Sequence, residues 1–197
     1  MTTENRRTSF KPHAFLAAFG LALAFFASPA NAGNIPLLSS ATLTTGADDQ
    51  SLAVARDGTG NLYAVGYSSA GTQGKNIWVS RWNESSLTVI SSMTFNGTGN
   101  GPDYAEGVAL DVSGNVYVTG VSSVTGAGLS MWLGKFTNSL VFVSSITYPI
   151  PIVVNALMPV GIVVAPGGNL FTVNSSTGTG AGKITLAQFT PALGFVS

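Results

Sequence analysis

Cysteine is missing from all 197 residues, and the single histidine, His13, lies near the start of the chain. Without cysteine there is no disulfide framework, no thiol nucleophile and no thiolate metal site. Charge is scarce as well, at 8% of residues against 45% apolar ones. A disordered chain would reverse that balance. From Gly33 onward five basic residues (Arg56, Lys75, Arg81, Lys135, Lys183) stand against seven acidic ones (Asp48, Asp49, Asp57, Glu84, Asp103, Glu106, Asp111), a net of −2. A phosphate-binding surface clusters its Lys and Arg, whereas these are scattered, so no nucleic-acid partner is expected.

The first 32 residues read as an address. Arg6, Arg7, Lys11 and His13 precede an apolar run at residues 14–26, and Ser28, Pro29 and the tripeptide Ala30-Asn31-Ala32 follow. A basic region, an apolar core of this length and an Ala-x-Ala end make a cleavable secretory signal, cut after Ala32. The run is shorter than the ~20 residues that span a bilayer. The paired arginines and Lys11 also resemble a twin-arginine signal, with Ser9 where that signal carries an aromatic, so both export routes stay open. Cleavage would remove His13. The remaining chain would then lack both His and Cys, which excludes Ser-His-Asp and Cys-His catalysis and ordinary zinc sites. No cofactor is expected. Nor is a stable membrane span after cleavage, because Pro149, Pro151, Pro159 and Gly161 interrupt the other long apolar run, residues 146–165.

Glycine, by contrast, is abundant at 24 residues, and it punctuates a recurring unit. GVALDVSGNVYVTGVSS at residues 107–123 returns as AVARDGTGNLYAVGYSS at 53–69 and, more weakly, as GIVVAPGGNLFTVNSST at 161–177. The turn glycines Gly60, Gly114 and Gly168 lie 54 residues apart. Each unit reads as strand, turn and strand, the turn carrying Gly60-Asn61, Gly114-Asn115 or Gly168-Asn169. Asp57 and Asp111 are placed to fold back on the backbone as Asx-turns, and the glycines accept positive φ. A Ser/Gly/Thr loop then leads to a third strand, IWVSRW, MWLGKF or ITLAQF, and a fourth strand completes the unit. Leu62 and Ala64 point one way, Tyr63, Val65 and Tyr67 the other, so each sheet is apolar on both faces. LLSSATLT at 37–44 reads as one more strand and echoes VISSMTF and VSSITY.

Four short strands per ~50-residue unit, covered on both faces, are the sequence form of a β-propeller blade. The expected fold is therefore all-β: blades of four antiparallel strands in about three repeats of ~54 residues. They fall at about 48–100, 101–154 and 155–197, within a domain spanning 33–197. DYAEGVALDVSGNVYVTGVSS followed by MWLGKF resembles the bacterial SBBP-type β-propeller repeat of exported proteins, through Asp103, Ala105, Gly107, Ala109, Asp111, Gly114, Asn115, Tyr117, Val118, Gly120 and Lys135. The first copy matches at Asp49, Ala55, Asp57, Gly60, Asn61, Tyr63, Gly66 and Arg81. The third departs, with Leu157, Ala165, Phe171 and Gln188 in place of Asp, Asp, Tyr and Lys. The resemblance covers nearly all of 33–197. It implies a fold and names no ligand. Closed propellers have at least four blades, so three make an incomplete ring. Either the sequence is a fragment of a longer protein, or copies self-associate to close the ring.

The expected binding face is the end that carries the loops between second and third strands and between blades. Its candidate ligand-binding residues are Asp48, Asp49, Asn100, Asp103 and Tyr104, with Thr72, Gln73 and Lys75 beside them. Asp49 and Asp103 recur at one repeat position, which also suits a turn brace. Asp57, Gly60, Asn61, Asp111, Gly114, Asn115, Gly168 and Asn169 are expected to be structural turn residues, and no metal site is expected because no EF-hand-like spacing occurs. Trp78 and Trp132 share a repeat position, which suits core packing, and Arg81 and Lys135 are expected to pair with a nearby Asp or carbonyl. The expected function is an exported or periplasmic, non-enzymatic scaffold that binds a protein or carbohydrate ligand. The alternatives are a fragment of a propeller-fold lyase or glycosidase working through paired carboxylates, or a ligand-free spacer.

Overall fold

The computed structural model describes residues 39–43, 48–69, 74–148, 157–176 and 183–196. The expected secretory signal, residues 1–32, and Thr72 and Gln73 lie outside them. The described residues form eleven strands and no helix: β1 (Gln50–Arg56), β2 (Asn61–Ser69), β3 (Lys75–Asn83), β4 (Val89–Phe95), β5 (Tyr104–Leu110), β6 (Val116–Val124), β7 (Gly128–Phe136), β8 (Phe142–Tyr148), β9 (Leu157–Val164), β10 (Leu170–Ser176) and β11 (Lys183–Phe189). They make three antiparallel sheets in the orders β1-β2-β3-β4, β5-β6-β7-β8 and β9-β10-β11. The apolar run at 146–165 contributes the end of β8 and all of β9.

Two strand expectations need correction. The third sheet has three strands, not four. A fourth is begun by the Phe189–Phe195 bridge and by a 2.8 Å hydrogen bond from the Val196 N–H to the Gln188 carbonyl. That bridge sits at the register where Val89 meets Trp82 and Phe142 meets Phe136. Residues 39–43 carry no strand. No edge of the three sheets pairs with them; instead, residues 41–43 lie beside Trp78 and Trp82.

Alternation along the strands divides each sheet into two faces. The forward face of the first sheet carries Tyr63, Val65, Ile77 and Val79, all fully buried. These pack with Val116, Val118, Trp132 and Phe136 on the rear face of the second sheet. The forward face of the second sheet, with Tyr117 and Leu133, packs in turn on Ile162, Leu170, Ala187 and Phe189 from the rear face of the third. The same repeat positions thus build both seams. β5 lies against β1, β2 and β3, and β9 lies against β5 and β6. The sheets approach most closely at these first strands: a methyl group added at Gly107 would stand 3.3 Å from the Gly161 backbone and 2.9 Å from the Thr119 methyl. Among the described residues the three sheets form no closed ring.

Candidate functional site

The two ends of the strands differ in chemistry. At one end are the hairpin turns. One oxygen of Asp57 accepts the N–H groups of Thr59 (2.8 Å) and Asn61 (2.9 Å), and the other accepts the Asn61 amide (2.7 Å) and the Thr59 hydroxyl (2.9 Å). Asp111 repeats this with Ser113 and Asn115. Gly60, Gly114 and Gly168 have φ of 91°, 82° and 86°, which a side chain would strain. Burial pushes the Asp57 and Asp111 carboxyls up, but the hydrogen bonds outweigh it and hold both below the usual carboxylate range. In the third copy Ala165 has no carboxylate. Its N–H still donates to the Asn169 carbonyl at 2.8 Å, so the backbone turn survives.

These turns also join the sheets. The Tyr63 hydroxyl approaches Asp57 at 3.4 Å and donates across the seam to the Asn138 carbonyl at 3.0 Å. The Tyr117 hydroxyl donates to Asp111 at 3.1 Å and also lies 3.3 Å from the Pro191 carbonyl across the second seam. For Tyr117, burial first and then the Asp111 carboxylate push the phenol up to about 12. Lys135 adds a bond to Pro191 at 3.0 Å. Arg81 does not match it: its Nε is buried without a partner.

At the opposite end the proposed ligand-binding residues come together between the first and second sheets. Lys75 Nζ lies 3.0 Å from Asp48 Oδ2 and 4.0 Å from the Tyr67 ring centroid. Tyr104 stands edge-on to Tyr67, with centroids 5.3 Å apart, and its own centroid is 5.7 Å from Lys75 Nζ. The contact with Tyr67 first, and with Asp48 second, raises the Lys75 ammonium above its ordinary range, so it stays charged. Asp103 is fully buried just below. Its oxygens accept the N–H groups of Gly97 (2.8 Å) and Ser123 (2.7 Å), and its own N–H donates to the Lys75 carbonyl at 2.6 Å. Asn100, at φ 48°, accepts the Asn96 amide at 2.9 Å. Asp49 is exposed and lies on the rear side of the first sheet, lining a cavity with Trp78 and Trp82.

The structure therefore joins Asp48, Lys75 and Tyr104 on one surface, places Asn100 in the loop above Asp103, and sets Asp49 apart. Asp103 is a brace with both oxygens engaged. Sequence reasoning missed Tyr67, the ring beneath Lys75. The signal was there: Tyr67, Lys75 and Tyr104 stand where the other copies carry Val121, Leu129 and Gln50, so the repeat does not require them. An aromatic shelf with a cation and a carboxylate at its rim suits a polar, hydrogen-bonding ligand. Among the described residues no group of three or more His, Cys, Asp or Glu side chains could hold a metal. Compared with known proteins, the chain matches no protein-family model and no curated protein.

Proposed function

We propose that the chain is an exported, non-enzymatic scaffold built of propeller-type blades, related to SBBP-type repeat proteins, which binds a protein or carbohydrate ligand at the Tyr67–Lys75–Tyr104 surface. The observation that carries this reading is the split between the two strand ends. The residues the repeat requires hold turns and seams, while residues it does not require gather at the other strand end, where half-buried Lys75 and Tyr104 lie over the buried Tyr67 ring. Asp57, Asp103 and Asp111 each accept several hydrogen bonds, which leaves them poorly suited to proton transfer. The enzymatic reading draws on Glu106 alone. Burial pushes its carboxyl up to about 7, as a general acid requires. Asp103 is no second carboxylate for it, because both its oxygens accept backbone N–H groups.

The test is to probe glycan and peptide arrays with the purified chain and with Lys75→Ala and Tyr104→Ala variants. The expected result is saturable binding that each variant weakens by at least about tenfold, the scale of one lost charge-assisted or stacking contact, with unchanged far-UV circular dichroism. Release of reducing ends or unsaturated sugars from a polysaccharide would overturn the reading, as would binding indifferent to both substitutions.

A further inference from the structure

Each internal seam joins a forward face to a rear face, and the outermost sheets each leave one such face open. On the forward face of the third sheet, Leu186 is 64% exposed, while its repeat equivalents Val79 and Leu133 are 0% and 2% exposed inside the two seams. Ile184 is 83% exposed where Ile77 is fully buried. On the rear face of the first sheet, Val54 is 65% exposed, and its equivalent Ile162 is 9% exposed in the second seam. Trp78 and Trp82 occupy the positions of Trp132 and Phe136 on that rear face, Trp78 8% exposed and Trp82 half-buried, beside a cavity of ≈ 320 Å³ that residues 41–43 also line. The two open faces are thus the separated halves of a contact the molecule already makes twice.

A second observation points the same way. The fourth strands share a pattern: Ser91-Ser92-Met93-Thr94-Phe95 in β4 and Ser144-Ser145-Ile146-Thr147-Tyr148 in β8. Residues 39–43, Ser-Ser-Ala-Thr-Leu, repeat it without being in a strand. Sheet three has the matching gap, since beyond the Phe189–Phe195 bridge and the Val196–Gln188 hydrogen bond no described residue pairs with the edge of β11 that faces away from β10. Residues 41–43 also border the rear-face cavity with Trp78 and Trp82. The fourth-strand residue Phe95 lies correspondingly over Trp132, with ring centroids 4.8 Å apart.

We infer that two copies of this chain associate head to tail. The third sheet of each copy receives the rear face of the other's first sheet, and residues 40–43 of the incoming copy pair with β11 opposite Ala187, Leu186, Thr185 and Ile184. The contact is heterologous, and made twice it closes six sheets, within the range of closed propeller rings. It does not depend on the ligand-binding reading above.

The test is sedimentation velocity on the full chain, expressed with its own N-terminal segment, and on two variants at exposed positions, Val54→Glu and Leu186→Glu. The wild type is expected to be a dimer. Each variant alone is expected to be a folded monomer, because every copy lacks one half of the contact. Mixed together, the two variants retain one good rear face and one good forward face, and a 1:1 dimer should return. Ile184→Glu serves in place of Leu186→Glu if circular dichroism shows that variant unfolded. A monomeric wild type overturns the inference. So does a variant that dimerises alone, or a mixture of two folded variants that stays monomeric.

Discussion

Residues at equivalent repeat positions carry different burdens in this molecule. Trp132 is enclosed between the first two sheets, 4.8 Å from Phe95 and 6.2 Å from Phe136 by ring centroid, and its indole lies over Gly134, where any side chain would displace it. Its equivalent Trp78, on the rear face of the first sheet, is 8% exposed beside residues 41–43 and is not packed in an inter-sheet cluster. Trp132→Ala should therefore lower unfolding free energy by ~3–5 kcal/mol. Denaturant titration checks it, and a loss under about 1 kcal/mol would show that Trp132 is not enclosed as described. Three leucines, Leu87, Leu140 and Leu193, sit at φ 51°, 63° and 67° in the turns before the fourth strands. A left-handed L-residue costs ~1–2 kcal/mol. Leu140 and Leu193 offset this by burial in the two inter-sheet clusters. Nothing local in the sequence announces those leucines, because nothing near them in the chain supplies the compensation. The Asx-turns at Asp57 and Asp111 were legible because both partners lie within six residues. The third copy shows the same dependence. Ala165 and Phe171 change together: without the carboxylate, a tyrosine hydroxyl there would lose one of its acceptors.

At the scale of the element, the hairpins follow from alternation and turn chemistry, and the bulges do not. β5 shifts register between Ala105 and Gly107, leaving Glu106 without a partner across the ladder. Opposite it, the backbone of β5 crowds Gly120 so closely that no side chain fits. β1 has the same shift around Leu52, opposite Gly66. The bulge turns Glu106 into a half-buried position where Oε2 finds no hydrogen-bond partner. Burial is the cause of its shift from the ordinary glutamate value of 4.5 to about 7. A carboxyl whose folded pKa lies above its unfolded one favours the native state while protonated. The stability Glu106 contributes should then be full below about pH 4.5, fall as pH rises towards 7, and stay lower beyond. Glu106→Gln should flatten that fall and be more stable than the wild type at pH 8. Melting temperatures from pH 4.5 to 8 check it, and parallel curves for the two proteins would refute it. Of the strand expected at 37–44, the described residues 39–43 pair with no sheet edge within the chain: a strand pattern states a capacity to pair, and its partner is set elsewhere in the structure.

For the whole molecule, the seams explain why one repeat position can hold a core residue twice and an exposed one the third time. Sheet packing is the same step taken twice, and the residues at its two ends have no neighbour among the described sheets. Export is a separate proposal, independent of the fold. If residues 1–32 are a cleaved signal, the protein recovered from the periplasm or medium should begin at Gly33 on N-terminal sequencing. A product that retains Arg6 and Arg7 would remove that reading. By itself the sequence determined the all-β class, the positions of the hairpins and the two-sided apolar character of the sheets, because these depend on alternation and on turns closed within a few residues. The repeat period also located the strands, although β5 and β9 begin at Tyr104 and Leu157, ahead of the first strands expected from Val108 and Ile162. Only the tertiary structure decided which face of which sheet is covered. It alone showed that Asp103 is a brace, that Tyr67 lies beneath Lys75 and that Glu106 is left without a partner. Those facts arise between strands far apart in the chain, where the partner is set by how sheets stack and not by what stands nearby in sequence.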